Sequence, residues 1–211
     1  MFDKCLGLCR SKHTRSSSQK QYPTVIQELC HRFSVADIRK LTNNFDENRV
    51  LGSGAFGKVY EGCFQHNDAS DYTVAVRRYD AECDAIFMNE IELLCQLHHP
   101  NCVSLIGFCN DENENIVVYE YMSNGSLSRH LQGGELSWKK RLEICIGAAR
   151  GLHYLHAGTK RTIIHRNITA YSIHLDDNME PKLAGFSICL QGARYMSKPK
   201  PIQVDHIMGI F

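Results

Sequence analysis

The sequence lacks several features that would place it in a specialised class of protein. No apolar run approaches the roughly 18 residues that a membrane-spanning helix needs, because charged residues interrupt every such run. The N-terminal residues also lack the apolar core, about 7–15 residues long, of a secretory signal. There is little net charge, since 24 Lys and Arg face 23 Asp and Glu for a formal charge of +1, so we expect no nucleic-acid partner. These absences predict a cytoplasmic chain without a transmembrane span.

The ten cysteines form no C-x-x-C pair and no Cys/His set at the spacing of a zinc site, so we expect no metal centre built from them. In a reducing compartment we expect thiols rather than disulfides, and most of them buried as small apolar side chains. Cys5 and Cys9 differ, because they lie in a basic leader that covers residues 1–32. Two interpretations of that leader stay open: an S-acylated segment that touches the inner face of the plasma membrane, or a flexible basic tail without that role.

Apolar patterns divide the rest of the chain into residues 33–123 and 124–211. In the first part, a capping pattern at Ser34 predicts a short helix, followed by strands on both sides of a helix that contains Glu90. In the second part, Ser137 predicts the start of a longer helix, and short strands follow it. The apolar positions predicted to form the packing face of that helix are Leu142, Cys145, Ile146, Ala149, Leu152 and Leu155. These patterns predict an α+β fold, with an antiparallel sheet and one helix before a mainly helical second part.

A glycine-rich segment opens the predicted sheet. Gly52, Gly54 and Gly57 are spaced as G-x-G-x-x-G, and Val59 follows. The same spacing opens dinucleotide-binding folds, in which a helix begins directly after the glycines. Here a strand-like segment follows instead, which predicts a strand–turn–strand hairpin whose backbone can lie over phosphate groups.

The order of motifs resembles that of a protein kinase. After the glycines come VAVR at 74–77, the helix with Glu90, the strand and linker VVYEYM, HRN at 165–167 and GFS at 185–187. The segments RFSVADIRKLTNNF, VSLIGFC, YEYMSNGSL and GLHYLH are further similar to plant receptor-like serine/threonine kinases, and GARYMSKPKPI to their FERONIA-like branch. The resemblance covers residues 33–211 and implies a protein-kinase fold, with residues 33–123 as the N-lobe and 124–211 as part of the C-lobe. It implies phosphoryl transfer from Mg-ATP as the reaction of the family.

The positions that carry chemistry in that family hold other residues here. The strand lysine that grips phosphate and pairs with the helix glutamate is matched by Arg77, a broader and planar cation. The Asp, Lys and Asn of the catalytic loop are matched by Asn167, Thr169 and Ser172, and the metal-binding Asp of D-F-G by Gly185. A neutral amide cannot act as a general base, a contribution of order 10²–10⁴ in rate. The resemblance therefore implies an impaired kinase, or pseudokinase, in which neither Mg²⁺ ligand is kept and Mg²⁺ is not expected.

The same resemblance leaves ATP binding open. His174 stands where the family places a leucine beneath adenine, so a polar ring replaces an apolar floor. The nucleotide-binding positions that the resemblance implies are Leu51, Gly52, Gly54, Gly57, Val59, Ala75, Arg77, Glu90, Glu120 and Met122.

Three functions remain in consideration. The first is a receptor-like kinase domain with little turnover, which acts by binding a protein partner such as a full-length kinase. The second is an active ATP-dependent serine/threonine kinase that tolerates the changes. The third is an unstable, truncated fragment, because the sequence stops 24 residues after Ser187, before the A-P-E motif of the family. On that interpretation the apolar face of the helix at 138–157 is left exposed.

Overall fold

The computed structural model describes residues 30–64, 72–111, 113–131 and 134–194. They divide into two compact units. The first contains the described residues up to Glu82 and also Ile106–Val118, and the second contains Cys83–Leu105 and the described residues from Tyr119 onward. The predictions for Cys5 and Cys9, and for the last residues of the sequence, lie outside the described residues.

The first unit is built on a six-stranded sheet. Its strands are β1 (His31–Arg32), β2 (Val50–Gly54), β3 (Gly57–Phe64), β4 (Tyr72–Tyr79), β5 (Leu105–Asp111) and β6 (Glu114–Glu120). They lie in the order β1-β5-β6-β4-β3-β2. Strands β2, β3 and β4 are antiparallel neighbours, whereas β1 pairs with β5 in parallel. The hairpin predicted around the glycines is therefore present as β2 and β3.

Helix α1 (Val35–Leu41) packs on this sheet. The Ser34 hydroxyl accepts a hydrogen bond from the backbone N–H of Asp37, and the Asp37 carboxylate accepts one from the backbone N–H of Ser34, which confirms the predicted cap. The chain leaves the helix through Asn43 and Asn44, whose φ angles of 52° and 58° are left-handed. The core beneath α1 consists of Phe33, Val35, Ile38, Leu41, Tyr60, Val74, Val76, Cys109, Ile116 and Val118.

The described residues of the second unit form two longer helices and two small sheets. Helix α2 spans Asp84–Leu94, and helix α3 spans Trp138–His153 and continues as a π-helical turn over Tyr154–Gly158. Strand β7 (Arg161–Ile164) pairs with β10 (Leu190–Arg194), and β8 (Ile173–Leu175) pairs with β9 (Pro181–Leu183). One-turn 3-10 helices cover Leu127–His130 and Phe186–Ile188 here and Glu47–Arg49 in the first unit.

The predicted packing face of α3 is wrong at four of its six positions. Leu142, Cys145, Ile146 and Ala149 are exposed, and the buried residues are Ile144, Gly147, Ala148, Gly151 and Leu155. A Cβ at Gly147 would lie 2.4 Å from the ring of Pro181, and one at Gly151 would lie 2.5 Å from the carbonyl oxygen of Asn101. The small residues of α3 thus help to set its buried side, because they let the Pro181 ring and the Asn101 backbone approach closely.

The cysteines follow the expectation only in part. Six of those in the described residues are thiols, namely Cys63, Cys83, Cys102, Cys109, Cys145 and Cys189. Burial raises the pKa of Cys102 and of Cys109 to about 12, as expected for thiols that pack like small apolar groups. Cys30 and Cys95 are disulfide-bonded, so the expectation of thiols is wrong at these two positions.

The described residues combine antiparallel and parallel strands with separate helices, so the predicted α+β class is confirmed. The longest helix, α3, has 16 residues, and none of the helices in the described part of the chain combines the length and the apolar character needed to cross a bilayer.

Candidate functional site

The glycine segment forms one edge of the sheet in the first unit. Leu51 is half-buried in β2, and Gly52 and Gly54 follow it as exposed residues of the same strand. A Cβ at Gly52 or Gly54 would meet no atom within 4 Å. The backbone of β2 is therefore open where a side chain would stand, and a ligand can approach it closely.

Gly57 has a different role from the two glycines before it. Its φ angle is +122°, a backbone conformation that residues with a side chain rarely adopt. A Cβ there would lie 2.1 Å from the carbonyl oxygen of Arg78. Gly57 is buried and pairs with Tyr79 in the adjacent strand β4. Only glycine fits at this position, which fixes where the hairpin turns.

Val59, Ala75 and Arg77 share one face of the sheet. Val59 is paired with Arg77 across β3 and β4, and Ala75 precedes Arg77 by two residues on the same strand. Because side chains alternate along a strand, this face lies opposite the one that carries the buried Tyr60. The Arg77 guanidinium lies 5.2 Å from the ring centre of Tyr79. The face thus combines small apolar side chains with a fixed positive charge.

In the second unit, Glu90 is joined to the segment that follows β9. Glu90 is 1% exposed on α2, and its carboxylate accepts a hydrogen bond of 2.5 Å from the hydroxyl of Ser187. The neighbouring Asn89 amide donates to the carbonyl oxygens of Ser187 and Cys189 at 3.1 and 3.0 Å. Three hydrogen bonds therefore hold α2 and residues 186–189 together.

Gly185 begins that one-turn helix in a left-handed conformation, with φ 86°. A Cβ at Gly185 would approach only the Cβ of Ser172, at 3.9 Å. The next residue, Phe186, is fully buried, and its ring centre lies 5.3 Å from that of His165 in an edge-on arrangement. The backbone is therefore firmly placed here, but position 185 supplies no carboxylate.

The loop after β7 is tied to the same segment. The His165 ring bonds through Nε2 to the carbonyl oxygen of Ala184 at 3.0 Å, and its Nδ1 accepts from the backbone N–H of Asn167 at 3.3 Å. Burial is the main cause that lowers the pKa of His165, and this neutral ring can both donate and accept. Arg166, at φ 66°, donates through Nε to the carbonyl oxygen of Ile188 at 2.6 Å. The loop is thus held by its first two residues.

Thr169 and Ser172 form a closed turn with each other. The Ser172 hydroxyl accepts from the backbone N–H of Thr169 at 2.9 Å and donates to its carbonyl oxygen at 3.1 Å. The Thr169 hydroxyl accepts from the backbone N–H of Tyr171 at 3.2 Å. Ser172 is 6% exposed, so its hydroxyl serves the turn.

The linker after β6 is organised by an ion pair. The Glu120 carboxylate accepts from the Lys182 ammonium at 2.9 and 3.0 Å and from the backbone N–H of Ser104 at 2.7 Å. Both charged side chains are mostly buried, 14% and 15% exposed. Met122 is buried nearby in sequence and accepts a backbone hydrogen bond from Gly125 at 2.9 Å. The Glu120 side chain therefore stabilises the fold, and the Glu120 backbone N–H donates to the carbonyl oxygen of Ser104 at 3.1 Å.

The structure distributes the sequence-predicted positions between the two units. The first unit holds Leu51, Gly52, Gly54, Gly57, Val59, Ala75 and Arg77, and the second holds Glu90, Glu120, Met122, Asn167, Thr169, Ser172 and Gly185. Three residues of the second unit were not predicted: Ser187, Asn89 and Lys182. A serine in place of the last glycine of D-F-G was the available signal for Ser187. Asn89 and Lys182 act through partners far away in the chain and left no local signal.

The chain is similar to known protein kinases over most of its length. The sequence profile described as "Protein tyrosine and serine/threonine kinase" matches residues 45–204. The chain is 48% identical to the receptor-like protein kinase FERONIA of Arabidopsis thaliana over 170 residues, which are 78% of this chain and 19% of that protein. It is also 48% identical to the receptor-like protein kinase THESEUS 1 of Arabidopsis thaliana over 166 residues, 76% of this chain and 19% of that protein. The chain thus spans about a fifth of the length of these relatives.

The motifs of that family occur in the same order in this chain: the glycine hairpin, the buried glutamate of α2, and the loops around His165 and Phe186. The chain belongs to the protein tyrosine and serine/threonine kinase family, as a domain of the receptor-like kinase type.

Proposed function

We propose that this chain is a pseudokinase, a protein-kinase domain that acts by binding and not by phosphoryl transfer. The observation that carries the proposal is the chemistry at the three catalytic positions. Asn167 and Thr169 offer no charged group, and Gly185 has no side chain. In the family these positions supply a general base, a cation near the transferred phosphate and a metal ligand. Losing groups of this kind typically costs a few kcal/mol of transition-state stabilisation each, although the losses do not add within one catalytic unit.

The residues present do not fit the Mg²⁺ that protein kinases generally use. Magnesium needs oxygen ligands in a nearly octahedral arrangement, usually with one or two carboxylates. At the two corresponding positions, Gly185 supplies no oxygen from a side chain, and the Ser172 hydroxyl is engaged by Thr169 on both its donor and acceptor sides. Within the described ranges, no group of three or more His, Cys, Asp or Glu side chains is placed to hold a metal ion. We therefore assign no role to Mg²⁺.

The first unit does fit an anionic nucleotide. The open space at Gly52 and Gly54 lets phosphates approach the backbone of β2, and Arg77 adds a positive charge on the same sheet. Val59 and Ala75 give a small apolar surface that suits a flat base. We propose that these residues, with Leu51 and Gly57 of the same unit, bind ATP without a metal ion.

Thermal unfolding of the full chain tests nucleotide binding. ATP in EDTA is expected to raise the melting temperature, since a ligand at about 100 times its Kd adds roughly 2.7 kcal/mol to the stability of the folded state. Ala75→Phe fills the apolar surface and is expected to abolish the rise. Thr73→Phe is the matched control, because Thr73 lies two residues earlier on the same strand and face, and it is expected to keep the rise. If ATP does not change the melting temperature of the wild-type chain, nucleotide binding is contradicted.

Restoring one ligand tests the metal assignment. Gly185→Asp is suited to this, because Asp tolerates left-handed φ better than most residues and a Cβ there meets only Ser172 at 3.9 Å. In this variant Mg²⁺ in place of EDTA is expected to raise the melting temperature, because the added carboxylate supplies an oxygen ligand that position 185 lacks. Gly134→Asp is the control, because Gly134 is also left-handed at φ 69° with nothing within 4 Å. A Mg²⁺-dependent rise in the wild-type chain contradicts the assignment.

Phosphoryl transfer and partner binding complete the proposal. No transfer of labelled γ-phosphate from Mg-ATP to a generic protein substrate is expected, and measurable transfer supports the active kinase instead. A chain without a cooperative unfolding transition supports the unstable fragment.

The biological role proposed here is to bind a protein partner such as a full-length kinase in the cytoplasm, with Cys5 and Cys9 as proposed sites of membrane contact through acylation.

A further inference from the structure

A pocket of about 600 Å³ lies at the C-terminal end of α3, wholly inside the second unit. Its wall is fixed by His99 and Tyr154, whose rings stack with centres 4.8 Å apart and an angle of 18°. The Tyr154 hydroxyl accepts a hydrogen bond from the backbone N–H of His98 at 3.2 Å. Gly158 closes the π-helical turn against this ring, since a Cβ there would lie 2.5 Å from it. The pocket is thus held open by specific contacts, and π-helical turns are often found at functional sites.

The floor of the pocket is apolar. Ile146, Ala149 and Ala157 line it, and Ile146 is 52% exposed. An isoleucine that is half-exposed in a concave surface offers an anchor point for an apolar side chain of another molecule.

The surroundings of the pocket are basic. Arg150 and His153 line it, and Lys160 and Arg161 are exposed in the chain just beyond Gly158. No Asp or Glu occurs from residue 144 to residue 175. The one carboxylate of α3, Glu143, lies within 4.0 Å of the Lys139 ammonium and 3.6 Å of the Lys140 ammonium. The exposed cations Arg150, Lys160 and Arg161 therefore have no acidic residue within this stretch of the sequence.

The two terminal segments of the printed sequence are not complementary in charge to the pocket. Residues 1–29 contain five Lys and Arg but two Asp and Glu, and residues 195–211 contain two Lys and one Asp. Both segments have the same sign of charge as the pocket. We propose that the pocket binds a segment of a protein partner in which one large apolar side chain is flanked by Asp and Glu. The apolar group occupies the floor, and the acidic residues meet the exposed cations.

A labelled peptide provides the direct test. The probe is a fluorescein-labelled hexapeptide with the sequence Glu-Asp-Glu-Phe-Glu-Asp, and binding to the full chain is measured by fluorescence anisotropy. We expect saturable binding that weakens with salt. Replacing the Phe by Gly, or all acidic residues by Lys, is expected to weaken binding at least about tenfold. Equal binding of the Phe and Gly peptides overturns the proposal, because attraction would then be purely electrostatic, and so does absence of binding.

Two matched pairs of variants locate the binding surface. Ile146→Ser and Arg150→Glu change the pocket and are each expected to weaken binding at least about fivefold. Leu142→Ser and Lys139→Glu are their controls, because Leu142 is 48% exposed on the same helix and the Lys139 side chain is 88% exposed, both outside the pocket. All four positions are exposed, so folding is expected to be kept and is checked by melting. If the controls weaken binding as much as the pocket variants, the proposal is wrong. No pocket residue belongs to the nucleotide-binding set, so this result stands independently of ATP binding.

Discussion

Replacing Ser187 by alanine removes the hydroxyl group that donates to the buried carboxylate of Glu90. The backbone contacts of the segment do not depend on this side chain, because Asn89 bonds to the carbonyl oxygens of Ser187 and Cys189. The variant therefore isolates one hydrogen bond between two groups that are 4% and 1% exposed.

The expected loss of stability follows from the charge of the acceptor, the Glu90 carboxylate. Hydrogen bonds to charged groups contribute about 1.5–3 kcal/mol, and a buried carboxylate that loses a donor keeps most of its desolvation penalty. We expect the free energy of unfolding to fall by about 2 kcal/mol. For a chain of this size that corresponds to a fall in melting temperature of roughly 4–8 °C.

Urea unfolding followed by circular dichroism measures this change. Ser53→Ala is the control, because Ser53 is exposed in the hairpin, and it is expected to change stability by less than about 0.5 kcal/mol. A double-mutant cycle with Glu90→Gln then isolates the pair, and a coupling energy of at least about 0.5 kcal/mol is expected. A Ser187→Ala variant as stable as the wild type, or a cycle with no coupling, would refute the reasoning.

Three further changes test other parts of the fold by urea unfolding. Gly57→Ala is expected to cost more than about 3 kcal/mol through a clash with the backbone of β4 and an unfavourable φ, whereas Gly54→Ala, with open space around its Cβ, is expected to cost less than about 1 kcal/mol. Glu120→Gln is expected to cost about 1–3 kcal/mol by leaving the mostly buried Lys182 without a charged partner, and a second change, Lys182→Met, is expected to recover part of the loss. Burial lowers the pKa of His165 in the folded chain, so the unfolded chain binds a proton first and stability is expected to fall as the pH drops below about 6.5. His165→Gln is expected to reduce that slope, and an unchanged slope would contradict the assignment.

Helix caps and turns could be predicted from the sequence, because the residues that form them are close together in the chain. The cap of α1 needs only Ser34 and a carboxylate three residues later, and the structure contains both hydrogen bonds. The glycine hairpin is also local, since its turn depends on one residue with a backbone that only glycine adopts. Such features need no knowledge of the tertiary fold.

Contacts between distant segments could not be predicted in this way. Ser187 and Glu90 are 97 residues apart, and Lys182 and Glu120 are 62 apart. The buried side of α3 was also missed, because hydrophobic periodicity counts large side chains and gives no weight to Gly147 and Gly151. At Gly147 and Gly151 the close approach of Pro181 and Asn101 decides which side of the helix is buried.

Apolar positions usually tolerate substitution less well than small or polar ones. On α3 this relation is reversed. At Gly147 and Gly151 even one added methyl group meets a neighbour within 2.5 Å, so no other residue is tolerated at these positions. At Trp138, Leu142 and Ile146 the side chains are 76%, 48% and 52% exposed, so polar replacements leave the packing intact. Solubility can therefore be engineered on α3 without a loss of stability, at the positions that a hydropathy plot would advise against changing.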